Sequence, residues 1–303
     1  MKLSTLLALT AAPFALFAAH PALADHHAAT TAAATTPAKG PALWKVSDED
    51  TTIYLFGTVH VLPKDVEWYD TAIATALTSA DIVVTEIPMD AASDAQVQQL
   101  TMAKGMLPPG TTLRSLLNAE QIAAYTSAVA KIGAPAEAFD PFKPWLAGLT
   151  LSIVPLMQQG YDPASGVEKV LLAKVPEKPR GALETAEFQL GIFDGMTQEA
   201  QIAFLMEAAT GMDQVKPMLD RMVAEWAKGD ADALAAVMNE GMSDPAVAEA
   251  LLYQRNANWA EWIDARLDQP GTVFIAVGAG HLAGAKSVQD YLAQKGITTS
   301  RVK

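Results

Sequence analysis

Two short apolar runs, residues 53–56 (Ile-Tyr-Leu-Phe) and 273–277 (Val-Phe-Ile-Ala-Val), each lead into a Gly-x-x-His segment: Gly57-Thr58-Val59-His60 and Gly278-Ala279-Gly280-His281. An apolar, β-branched and aromatic run that stops at glycine reads as a buried strand ending at the rim of a sheet. Two such strands, whose histidines stand 221 positions apart, can aim two imidazoles at one point. These are the only histidines beyond residue 27. Neutral imidazole is the commonest metal ligand and a frequent general base, so the pairing bears on chemistry as well as on fold.

The N-terminus stands apart from the folded region. Lys2, an apolar stretch over residues 6–19 and the small-residue site Ala22-Leu23-Ala24 read as a secretory signal peptide covering residues 1–24. Residues 25–40, rich in Ala and Thr and carrying His26 and His27, read as a flexible linker, and residues 41–303 as one domain. Export to the periplasm of a Gram-negative bacterium is the expectation. No later segment is long and apolar enough to span a bilayer. The absence of cysteine removes thiolate ligands and a cysteine nucleophile. The net charge of −13, with no basic cluster, argues against nucleic acid as a partner.

The pattern along the chain is strand-rich at both ends and helical between. Residues 42–46 and 51–56 suggest a hairpin, 66–79 a helix and 81–86 a buried strand, which together make a βαβ unit with a parallel pair. Asn118 with Gln121 forms a capping box for a helix to about residue 132. An apolar helix covers 144–159 and stops at Gly160. A second capping box, Ser165 with Glu168, starts a helix to about 174, and 180–184 reads as a strand. Helices follow over 185–193, 198–209 and 214–228. Ser243-Asp244-Pro245 opens a helix to about 267, and 273–277, 281–295 and 298–302 read as strand, helix and strand. The fold class is α/β: a central, mostly parallel sheet built from the two terminal βαβ segments, with a helical insertion over about 90–265.

In parallel α/β sheets ligands bind beyond the carboxyl ends of the strands. His60, Glu86 and His281 all stand at such ends, and two imidazoles with a carboxylate make a ligand set for zinc, manganese, iron or cobalt with positions left for water. Arg255 falls on the apolar stripe of the 244–267 helix, four after Leu251 and four before Trp259. A buried guanidinium needs an anionic partner, either a substrate carboxylate or oxyanion in the site or a structural Asp or Glu. Glu184 and Asp162 are candidates for general base or further ligand, although Asp162 before Pro163 also suits a turn. Glu168 is accounted for by its capping box, and Trp145, Trp259 and Trp262 read as core. Gly57, Gly278 and Gly280 permit close backbone approach. Zincin, serine-elbow, P-loop and dinucleotide motifs are missing.

The runs 55–60, 160–163 with Gly166-Val167, 183–187, Arg255-Asn256 with Trp259, and 277–282 resemble, in this order, the TraB/PrgY/GumN family, in its bacterial GumN-like branch. That family is related to the TIKI metalloproteases. The resemblance covers about residues 42–303 and departs at Glu168, where Asp is expected. It implies an α/β fold akin to erythromycin-esterase-like and ChaN-like proteins. It also implies a metal-dependent peptidase activity using His60, Glu86 and His281 with Mn, Co or Zn. The expected function is an exported metal-dependent hydrolase acting on a peptide or small-molecule substrate. The alternative is a binding protein that holds a peptide, haem or metal without turnover.

Overall fold

The computed structural model describes residues 40–241 and 245–303. The signal peptide, the linker up to residue 39 and the Ser243-Asp244 helix start lie outside the described residues. Eight strands form: β1 (Leu43–Ser47), β2 (Thr51–Thr58), β3 (Leu62–Pro63), β4 (Ile82–Thr85), β5 (Tyr161–Asp162), β6 (Arg180–Ala182), β7 (Gly271–Gly278) and β8 (Thr299–Arg301). Six of them make one sheet in the order β6-β4-β7-β2-β1-β8, and β3 pairs with β5 in a small separate ribbon. β6, β4, β7 and β2 are mutually parallel, while β1 runs against both β2 and β8. The mostly parallel sheet and the 42–56 hairpin agree with the sequence pattern.

The period-two alternation of the strands divides the core between two faces. Phe56, Val83 and Phe274 join a cluster with Ile73 and Leu77 of the Thr71–Ser79 helix and with Leu219 and Trp226 of the Gln198–Lys228 helix. Ile53, Leu55, Val273, Ile275 and Val277 face the other way, onto Trp259 and Ile263 of the Gln254–Leu267 helix and Leu292 of the Val288–Gln294 helix. β7 has layers on both faces, which is why residues 273–278 are continuously apolar or glycine and buried. The inserted helices carry a further cluster around Tyr125, Val129, Leu151 and Leu205.

Four expectations need correction. First, β2 and β4 are parallel but not neighbours: β7, from the far end of the chain, lies between them and pairs with both. Local order shows that the chain crosses over, but only the long-range partner decides what fills the gap. Second, the helix expected from residue 66 begins at Thr71, because the Asp70 side chain accepts from Ile73 N at 3.0 Å and caps it there. Third, the helices expected over 198–209 and 214–228 are one helix, Gln198–Lys228. Its buried stripe Ala208, Met212, Val215, Leu219 runs unbroken through Gly211, and it stops at Gly229 with φ +71°. Fourth, His281 opens no long helix. It sits in a single 3₁₀ turn, Ala279–Leu282, and the next helix starts only at Val288 under a Ser287 cap. Gly284 (φ +70°) and Lys286 (φ +57°) adopt left-handed backbone between them. The insertion also contains the helices Ala91–Gly105 and Ala231–Gly241, which the periodicity did not bring out.

One hydrogen bond anchors the longest helix to the rim of the sheet. Trp226 Nε1 donates to the Gly57 carbonyl at 2.8 Å, and the indole packs against Trp68. Trp226→Phe keeps most of the apolar surface and leaves that buried carbonyl without its donor. The expected loss is about 1–3 kcal/mol of unfolding free energy, read by urea denaturation.

Candidate functional site

The rim of the sheet at the carboxyl ends of β4, β7 and β2 gathers most of the residues singled out from the sequence. Thr58 of β2 stands level with Gly278 of β7. The chain beyond each strand then delivers His60, Glu86 and His281, and Glu184 follows β6. The centre of this group is Arg255, which is only 1% exposed. Its Nε donates to Glu184 Oε1 at 2.9 Å, and its Nη2 to Glu184 Oε2 at 2.9 Å and Glu86 Oε2 at 2.5 Å. Its Nη1 donates to the Leu251 carbonyl at 3.0 Å and faces His281 Nε2 at 3.3 Å. The guanidinium fork thus grips two carboxylates and touches one imidazole, the structural-pair option raised by its place on the apolar stripe.

The two carboxylates are held from other sides as well. Gly278 N donates to Glu86 Oε1 at 2.7 Å, which ties the end of β7 to the end of β4. Gln189 bridges both acids, with Nε2 2.9 Å from Glu86 and 2.8 Å from Glu184. Trp259 Nε1 donates to Glu184 Oε1 at 2.9 Å, and its ring packs on His281 with centroids 4.2 Å apart. Burial pushes the pKa of Glu86 up, against the pull of Arg255 and His60 and the Gly278 N–H.

The His281 tautomer follows from its surroundings. Asn256 Nδ2 donates to the Lys286 carbonyl at 2.8 Å, so the amide oxygen turns toward the ring and lies 2.6 Å from His281 Nδ1. Nδ1 therefore carries the proton, and the Nε2 lone pair faces Arg255. Complete burial, with the positive charges of Arg255 and His60, holds His281 well below the usual histidine pKa and keeps it neutral.

His60 is backed by Glu168, and here the sequence reading is overturned. The Val167–Lys174 helix is capped by Gly166 with no side-chain bond, and Glu168 takes no part in a capping box. Its carboxylate instead stands 2.5 Å from His60 Nδ1 and accepts from Thr58 Oγ1 at 2.5 Å. Burial lowers the His60 pKa, but the charge and hydrogen bond of Glu168 outweigh that and leave it raised. Burial raises the Glu168 pKa, but His60 and Thr58 bring it below the ordinary carboxylate range. Both directions describe a buried imidazolium–carboxylate pair. His60 Nε2, on the far side of the ring, is buried with no hydrogen-bond partner among the described residues.

Asp162 lies apart from this group. Its carboxylate accepts from Ala164 N at 2.8 Å and pairs with Lys64 at 3.3 Å, which is the turn role of Asp before Pro. Glu168, Gln189, Asn256 and Trp259 belong to the site and were not picked out from the sequence. The signal for Asn256 was its place beside Arg255, whereas Gln189 had none. Of the motif glycines, Gly57 packs its Cα face so closely against Ala279 that a methyl group would require its neighbour to give by a few tenths of an ångström. Gly280 lies under the Met238 thioether, and Gly278 carries the N–H used by Glu86. The Nε2 atoms of the two histidines and the carboxylate of Glu86 are the groups able to ligate a cation. Among the described residues, no three His, Asp or Glu side chains converge closely enough to enclose an ion as they stand.

The family model described as the TraB/PrgY/gumN family matches residues 42–301. No curated protein and no solved structure matches the chain.

The arrangement sets two expectations for stability. Removing the guanidinium in Arg255→Met leaves two buried carboxylates facing each other, and urea denaturation should show a loss of about 3–5 kcal/mol. The glycines should differ from one another. A methyl group at Gly166 meets the His60 carbonyl at 2.3 Å and displaces backbone at the site, whereas at Gly280 it meets the flexible end of Met238. Gly166→Ala should lower the melting temperature by several degrees more than Gly280→Ala.

Proposed function

We propose, for a chain that belongs to the TraB/PrgY/gumN family, that it is an exported metal-dependent hydrolase, and that His60, His281 and Glu86 hold the ion. The observation that carries this reading is the state of the two imidazoles. Each has its Nδ1 engaged by a neighbour, Glu168 for His60 and Asn256 for His281. This is the outer-shell support typical of metal-ligating histidine, which fixes the ring; it leaves Nε2 of His60 as a ligand atom, while Nε2 of His281, 3.3 Å from Arg255 Nη1, becomes one once the guanidinium moves aside. His60 Nε2 is buried and has no hydrogen-bond partner among the described residues, as expected of an atom that serves something else. Glu86, Glu168 and Glu184 against Arg255 and His60 leave the cluster one negative charge in excess, which favours a cation.

A divalent ion held by His60, His281 and Glu86 would lower the pKa of a water and polarise a scissile carbonyl. The protein's own groups do the rest. Glu168 holds the His60 ring and balances its charge when the ring is protonated, and a cation at Nε2 would have to displace that proton. Arg255 is a positioning residue in this reading: its fork is spent on Glu86 and Glu184, and it keeps Glu86 aimed at the rim. Glu184, pinned by Arg255, Trp259 and Gln189, fixes the orientation of the arginine in turn. The signal-peptide pattern adds the periplasm as the compartment.

The test is metal stoichiometry and turnover on one preparation. Equilibrium dialysis with Zn²⁺, Mn²⁺ or Co²⁺ should load about one ion per chain. His60→Ala and His281→Ala should each weaken binding at least a hundredfold while the circular dichroism spectrum stays native. Cleavage of a peptide pool should appear with the ion and vanish with chelator. Binding unchanged in both variants overturns the metal site. A loaded protein that cleaves nothing overturns the hydrolase and leaves a binding protein.

A further inference from the structure

Arg255 engages the same two groups that His281 and Glu86 would present to an ion. His281 Nε2 and Glu86 Oε1 are 3.8 Å apart. Two atoms that each ligate one ion at about 2 Å stand about 3–4 Å from one another, so this pair is already at ligand spacing. The guanidinium reaches both residues at once. Its Nη1 is 3.3 Å from His281 Nε2, and its Nη2 is 2.5 Å from Glu86 Oε2.

Glu184 shares the grip. Its Oε2 accepts from the same Nη2 at 2.9 Å, so two carboxylates meet on one nitrogen. Their side chains are only 3% and 6% exposed, and buried carboxylates brought together need a cation beside them. A guanidinium meets that need with donors spread along a plane, whereas a metal ion meets it from one point. The acids and His281 are therefore set around a plane, and among the described residues they do not converge on a point. The bonds of the fork fall into two groups. Nε donates to Glu184, which is outside the ligand set, and Cζ lies 4.9 Å from the centre of the Trp259 ring. The contacts with Glu86 and His281 are the ones made to ligand groups. An arginine that gives up these two can keep Glu184 and the indole face.

We infer that Arg255 is the resident cation of this site, and that a divalent ion enters by displacing its guanidinium from Glu86 and His281 while Glu184 retains it. The inference rests on the reading of His60, His281 and Glu86 as ion ligands. It fixes the sign of the arginine's effect on the ion. A residue that does no more than aim Glu86 strengthens ion binding, and its removal weakens it. A resident cation competes with the ion, and its removal strengthens binding.

That sign is read by isothermal titration of Zn²⁺ into the full chain, stripped with chelator, and into Arg255→Gln and Arg255→Lys. Glutamine removes the charge, and lysine keeps it without the fork. Binding should tighten about tenfold or more in Arg255→Gln, with Arg255→Lys between it and the parent. Equal or weaker binding by Arg255→Gln overturns the displacement. A second measurement uses the parent alone, labelled with ¹⁵N-arginine. The Arg255 signal is the slowest to exchange with solvent, because this is the buried arginine. Exchange of its Nη protons should quicken about tenfold or more once Zn²⁺ is bound, since they leave Glu86 and His281. Exchange that stays as slow in the loaded protein also overturns the displacement. In both cases the metal site itself stands if His60→Ala and His281→Ala still lose the ion. Zn²⁺ bound by Arg255→Gln and not by the parent keeps the resident cation and retires the parent as a metal-dependent hydrolase. No Zn²⁺ bound by the parent or by either variant overturns the metal site, and the displacement with it.

Discussion

The buried guanidinium of Arg255 is the contact on which the rim of this molecule depends. It joins elements from three parts of the chain: Glu86 after β4, Glu184 after β6 and, through Glu86 and Gly278, the end of β7. A charge so deeply buried is tolerated only when its donors are met, and here carboxylates and the Leu251 carbonyl meet them. That carbonyl belongs to a five-residue π-helical turn, Glu249–Tyr253, immediately before the Gln254–Leu267 helix. The wider turn alters the i→i−4 ladder at the point where the arginine side chain reaches back. One irregular helical turn therefore sits beside the residue that orders both acids.

The sheet order explains why the groups converge. β7 enters between β2 and β4, so the segment carrying His281 emerges between the one carrying His60 and the one carrying Glu86. Close approach then depends on small residues. Gly57 leaves room for Ala279, and Gly166 lets the His60 carbonyl lie against the start of the Val167–Lys174 helix, where Val167 N donates to the Val59 carbonyl. That docking brings Glu168 onto the His60 ring. The same residue that looks like half of a capping box is a buried partner of the imidazole. The two roles have identical spacing in sequence and differ only in what lies beyond the helix end.

Much of the candidate site is legible in the sequence alone. The strand-end positions of His60, Glu86 and His281, the burial of Arg255 and the α/β class all follow from periodicity and from glycine at the ends of apolar runs. What escaped was of two kinds. Glu168 and Trp259 were visible, but local rules had already accounted for them, as a cap and as core. Gln189 carries no local signature and Asn256 only its place beside Arg255, because a neutral amide that bridges two acids or orients a ring does so through partners 103 and 25 residues away. Asp162 is the reverse case. Its family-like surroundings suggested chemistry, and its short-range bond to Ala164 N gives it a turn to hold.

By itself the sequence determined which segments form the six strands of the main sheet, though not the small β3-β5 ribbon, where the parallel strands end and which ionisable side chains stand at those ends. These properties depend on residues within a few positions of one another, and hydrophobic periodicity and glycine record them directly. The tertiary structure alone decided that β7 separates β2 from β4, that Arg255 spends its donors on two glutamates and that Glu168 faces His60. It also decided that β6 ends the sheet, with no further strand paired to it among the described residues. Each of these depends on contacts between distant segments, whose free energy comes from burying paired charges and matching backbone groups across the fold, and no local pattern encodes which partner wins.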